Sequence, residues 1–191
     1  MNKRATKFAS FLCKSIVVCI AGLAMSNIAR SETLGIPDPD ALHRRVTEFT
    51  KAISNGDLHT FFRMFPQRIF SEEAKKHGTS PEVGIDLATK EIGEMMAKQG
   101  KIISYTIDDA HPRIVTLENA TTGILLPIDE VQLLIEKNKK VEIKSEALAI
   151  REGEIWYILP LVARWEFDVM RTYYPEYKGI KIESSSTELK D

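Results

Sequence analysis

The sequence predicts an α+β domain in which N-terminal helices pack on a strongly curved, cone-like antiparallel sheet, with an extra helix toward the C-terminus. Three observations carry that reading. Apolar residues recur at helical spacing as far as Gly100 and at a period of two beyond it. The links between the period-two segments are too short for parallel crossovers, so successive strands pair as antiparallel hairpins. A further helical stretch, Trp165 to Tyr173, follows the last strand.

In the stretch Pro37-Asp-Pro-Asp, Asp38 can cap a helix that has Pro39 at its first position. Leu42, Val46, Phe49 and Ile53 then fall on one face of that helix. Asn55-Gly56 ends it, and Asp57 caps a second, short helix whose inner residues are Leu58, Phe61, Phe62 and Phe65, stopped by Pro66. Residues 67–79 are polar and basic, apolar only at Ile69, Phe70 and Ala74, which predicts a loop with one helical turn. Ser80-Pro81-Glu82 opens a third helix that runs through Ile85, Ala88, Ile92, Met95 and Met96 to Gly100.

The first strand alternates Ile103, Tyr105 and Ile107 against Ser104, Thr106 and Asp108. Four more follow: Ile114 to Leu117, Ile124 to Glu136, Val141 to Arg151 and Ile155 to Leu161. Lys137-Asn-Lys-Lys140 reads as a solubilising hairpin tip and Glu152-Gly-Glu154 as a tight turn. The strand from Ile155 is apolar at both parities, so both its faces must be covered, by the helices on one side and by the C-terminal helix or a second subunit on the other. A homodimer through the sheet face is therefore one expected partnership. Residues 178–191, with Ser184-Ser-Ser-Thr187, read as a flexible tail, so that 37–177 forms the single domain.

The N-terminus sets the expected location. Lys3, Arg4, Lys7 and Lys14 precede an apolar run from Ile16 to Met25, the n-region and h-region of a secretory signal peptide. Small residues at Ala24 and Ser26 suit cleavage after Ser26, while Gly22 and Ala24 allow it two residues earlier; the preferred site makes 1–26 a signal peptide and 27–36 a linker, and the mature protein periplasmic or secreted. The run is shorter than the about 20 residues of a membrane span and is closed by charges, so no stable membrane anchor is expected. Cleavage removes four of 26 basic residues and none of 27 acids, leaving 22 against 27, a net charge of −5. That balance speaks against a nucleic-acid partner. Cys13 and Cys19 both lie in the removed segment, which leaves the mature chain without disulfide or thiol chemistry.

The "FTKAISNGDLHTFFRMF" helix-turn-helix with its Asn-Gly-Asp break, and the "EALAIREGEIWYIL" hairpin ending in Gly-x-x-Trp-Tyr, resemble the nuclear-transport-factor-2-like superfamily, which includes ketosteroid isomerases and polyketide cyclases. The resemblance covers roughly Ala41 to Leu161 and implies a cone of helices and bent sheet around a pocket, often paired sheet to sheet. The insert between Phe65 and Ser80 and the last helix lie outside the minimal pattern.

Candidate site residues follow from two features. Asp108-Asp109-x-His111 is the densest titratable group, and with Tyr105 supplies the candidates for proton transfer; Pro112 after a strand end gives the opposing reading of a solvated turn. Tyr105 and Asp108 are three residues apart and face opposite sides of a strand unless a bulge lies between them. The strand acids Glu142 and Glu146 alternate with Lys144 as on a face in water, and Glu130 is a third strand acid. Phe61, Phe62, Phe65, Tyr105 and Trp156 are the candidate ligand wall, with plain core packing as the competing role. His43, His59 and His77 show no helical ligand pair, so no metal is expected, and no cofactor. The functional expectation is an exported, non-catalytic domain that binds a small apolar ligand or a protein partner. The alternatives are an isomerase- or cyclase-like enzyme and an accessory subunit of an envelope assembly.

Overall fold

The computed structural model describes residues 35–189 apart from 119, 136, 137 and 163. The expected signal peptide and nearly all of the linker, residues 1–34, lie outside the described residues. The first helix, α1 (Pro39–Ser54), begins where Asp38 accepts a 3.0 Å bond from Ala41 N, and buries Leu42, Val46, Phe49, Ala52 and Ile53. Helix α2 (Leu58–Arg63) begins where Asp57 accepts from Thr60 N at 3.0 Å, and hydrogen bonding from the Thr60 side chain and then its backbone N–H holds the Asp57 carboxyl below its usual range. Helix α4 (Pro81–Gln99) packs on both α2 and a further helix, α3 (Gln67–His77).

Helix α3 corrects the sequence reading of 67–79 as a loop. Its few apolar residues, Ile69, Phe70 and Ala74, lie close enough around the helix to form one buried face, and Phe70 meets Phe62 ring to ring at 6.4 Å. Lys75, Lys76 and His77 fall in its last turn, where positive charge complements the helix dipole. Gly78 then turns left-handed at φ 63°, with its N–H directed to Ala74 and Lys75 carbonyls.

Six strands among the described residues form one antiparallel sheet: β1 (Gly100–Ile107), β2 (Arg113–Thr116), β3 (Thr122–Leu134), β4 (Lys139–Glu152), β5 (Ile155–Pro160) and β6 (Ser185–Leu189). Two long strands organise it. Strand β3 pairs along one edge with β4 and along the other with β2 and then β1, whereas β4 carries β5 and then β6 on its far edge. The sheet curls into a half-barrel with the N-terminal helices on its concave side. Helix α1 crosses that side, packing on both β1 and β5. The edge of β5 is tied down by Ile158 N to Met64 O at 3.0 Å and by Arg45 Nε to Trp156 O at 2.6 Å.

The returning chain covers part of the other face, while Thr106, Asp129 and Lys144 on that face stay exposed. Helix α5 (Arg164–Tyr173) runs back along β5, so that Tyr174 Oη donates to Glu152 beside the start of that strand, and Tyr173 Oη donates to Glu73 on α3. Arg68 lies over the Tyr174 ring and donates to Tyr173 O. Beyond it, Ile180 packs so closely on β3 that a Cβ at Gly123 would meet Ile180 Cδ1 at 2.6 Å. The segment 178–191, expected to be flexible, thus carries a packed isoleucine and strand β6, which pairs Ser185–Leu189 with Lys140–Lys144 of β4. Backbone pairing explains the order: β6 is exposed at every residue, and polar serines and a threonine suffice where only a ladder has to form.

A second correction concerns Glu146, expected on a face in water. It is buried, accepts a fork of bonds from Arg113 Nε at 2.8 Å and Nη2 at 2.5 Å, and also accepts Glu183 N at 2.9 Å. Arg113 in turn donates to Lys181 O, so this pair fastens the C-terminal segment over β2 and β4. Charge alternation along β4 is real, but the returning chain covers its middle.

Candidate functional site

The concave side of the half-barrel is lined by one parity of β3, namely Ile124, Leu126, Ile128, Glu130 and Gln132, all buried. A bulge between Ile102 and Ser104 sets the phase of β1 so that Tyr105 stands directly opposite Glu130, and Ile107 opposite Ile128. Directly paired residues share a sheet face, so the phenol and the carboxylate project to the same side. From β5, Trp156 is buried as well. The helical wall is aromatic: Phe49 and Phe61 rings lie 4.9 Å apart, Phe61 and Phe65 4.9 Å, and Phe49 and Tyr105 6.4 Å.

Polar groups inside this aromatic shell are few and incompletely bonded. Tyr105 is 7 % exposed and Trp156 3 %, and neither Tyr105 Oη nor Trp156 Nε1 has a hydrogen-bond partner. Orphaned buried donors are uncommon, since each forfeits its bond to water without replacement. Glu130, 4 % exposed, accepts one bond from Gln132 Nε2 at 2.7 Å. Burial pushes its pKa up to about 7, against the lowering effect of the Gln132 bond. Glu166, on α5, is buried too and accepts Val162 N at 2.6 Å. Burial, and then the charges of Glu130 and Glu166, push the Tyr105 hydroxyl well above the ordinary phenol range.

The residues singled out from the sequence do not all converge. Phe61, Phe62 and Phe65 form one buried cluster with Phe49, while Tyr105 and Trp156 enter the same core from opposite ends of the sheet. Asp108 and His111 are elsewhere. Asp108 accepts Ala110 N at 3.0 Å and sits 2.8 Å from His111 Nδ1, with both side chains largely in water. The bulge lies before Tyr105 and not between it and Asp108, so no Tyr105–Asp108 pair forms. The turn is instead anchored to α1 by His43 Nδ1 and Asp109 Oδ2, 2.7 Å apart.

Sequence reasoning passed over Glu130 and Glu166 as site residues. A signal for Glu130 exists in the chain: it continues the inward parity of Ile124, Leu126 and Ile128. Glu166 had none that separates it from an ordinary first-turn acid of a helix. On the outer side of α2 and α4, His59, Glu82 and Asp86 bring three potential metal-ligand atoms within 4.8 Å of one another. Arg63 already donates to Glu82 at 2.5 Å, so the exposed group forms an ion-pair cluster between the two helices.

No protein-family model matches this chain, nor does any curated protein or solved structure. Among the described residues no helix is long and apolar enough to cross a membrane.

Proposed function

We propose that this is an exported, non-catalytic domain that holds a small, mostly apolar molecule on the concave side of its half-barrel, in the manner of nuclear-transport-factor-2-like domains. One observation carries the reading: two buried polar groups, Tyr105 Oη and Trp156 Nε1, have no partner within an aromatic shell that also holds Glu130. A ligand with one or two polar atoms would satisfy what the chain leaves open, while Phe49, Phe61 and Phe65 supply apolar wall. Export rests on the basic and then apolar N-terminal pattern.

A second reading, acid–base catalysis of the isomerase or cyclase kind, is favoured by Tyr105 standing opposite Glu130, which gives a carboxyl titrating near neutrality beside a phenol. In that reading Glu130, and not Asp108 or His111, takes the base position. Native mass spectrometry of the protein purified from its own host tests the first reading. The expected spectrum shows a chain starting near Asn27 with a small molecule retained and released on unfolding. A bare chain under conditions that keep other noncovalent complexes intact would contradict it.

A further inference from the structure

The buried polar residues of this protein are of unequal charge. Glu130, Glu146 and Glu166 are all buried acids, and no Lys, Arg or His among the described residues is buried with them. Glu146 has its counter-charge in Arg113, and Glu166 accepts a backbone N–H at the start of α5. Glu130 has only a neutral amide, Gln132, and faces a tyrosine whose hydroxyl is unpartnered. The charges acting on that hydroxyl are those of Glu130 and Glu166, both negative. An anionic interior of this kind is costly unless a cation enters it or a carboxyl takes up a proton.

We propose that the interior takes a small organic amine, its ammonium seated between the carboxylate of Glu130 and the hydroxyl of Tyr105, and its hydrocarbon part against the phenylalanine wall. The geometry suits that ligand class at each point. Gln132 Nε2 engages Oε1 of Glu130, and an ammonium would take Oε2. Tyr105 Oη can accept from the same ammonium through a lone pair no other group uses. A carboxylic-acid ligand would meet the like charge of Glu130, and a neutral alcohol would leave Glu130 without a counter-charge.

The inference rests on the ligand-binding reading above, and three isosteric probes separate the two. Cyclohexylmethylamine, cyclohexylmethanol and cyclohexanecarboxylate differ only in the polar head, and binding of each to the full mature chain can be followed by calorimetry. The amine should bind at least about tenfold more tightly than the alcohol, and the carboxylate more weakly than both. Glu130→Gln should abolish the preference for the amine over the alcohol; Tyr105→Phe, which preserves the ring, should reduce that preference and serves if the first variant folds poorly. An alcohol that binds as well as the amine, or a preference that survives Glu130→Gln, overturns the amine assignment and leaves the ligand reading standing. Binding of none of the three also overturns the assignment, and the native mass spectrum then decides the broader reading on its own.

Discussion

Trp156→Ala is expected to lower the stability of the fold by about 3–5 kcal/mol, the cost of emptying a large buried aromatic site. The position concentrates several contacts that cannot close around a void. Its ring is buried on β5 and its carbonyl is gripped by Arg45 from α1, which also lies over the Tyr157 ring. One residue pair further on, Ile158 N bonds Met64 O at the end of α2. These backbone bonds survive the truncation and pin the strand edge, so the surrounding wall cannot collapse into the space the indole leaves. Trp156→Phe separates bulk from polarity: it keeps most of the ring and removes the unpartnered N–H, so its cost should stay under about 1.5 kcal/mol. Urea unfolding of the two variants checks both numbers, and a Trp156→Ala midpoint equal to that of the parent chain would refute burial.

Through Glu130, the fold is expected to lose roughly 3 kcal/mol of stability as pH rises from about 4.5 to about 7, a component that Glu130→Gln should lack. The direction follows from the proton count. Below the ordinary glutamate range Glu130 is protonated in both states and contributes no pH dependence. Between 4.5 and about 7 the unfolded chain has released its proton while the folded chain retains it, so each pH unit favours unfolding by about 1.4 kcal/mol. Above about 7 the folded protein carries the buried charge and the full penalty persists. Denaturation midpoints measured across this window, for the parent and for Glu130→Gln, give the difference directly. Parallel curves for the two chains would place Glu130 in water and remove the anionic interior.

Local signals explain why most of the fold was legible from the residues alone. Asp38 and Asp57 each cap the helix they were expected to cap, and Gly153 takes φ 63° in the turn read from Glu152-Gly-Glu154. The switch to a period of two at Gly100 marks the start of β1. Helix α3 was hidden because three apolar residues in eleven give little periodicity, and its burial depends on Phe62 arriving from a different helix. Strand β6 was hidden because a ladder on an exposed edge asks nothing of side chains.

The site was less legible, for a related reason. Alternation tells which residues share a face but not whether that face is covered, and this decides the fates of Glu130 and Glu146. The facing of Tyr105 and Glu130 depends further on a bulge at β1 that pattern alone does not locate. Asp108, Asp109 and His111, conspicuous as a string of titratable letters, fold back on one another and on His43 at the surface.

We propose above that the half-barrel interior holds a group the chain does not supply. A high-resolution crystal structure of the protein purified from its own host measures this most directly. Density for an ordered non-protein group within hydrogen-bond reach of Tyr105 Oη and the Glu130 carboxylate is the expected result. Tyr105 Oη bonded straight to Glu130, in a core closed over both, would contradict it.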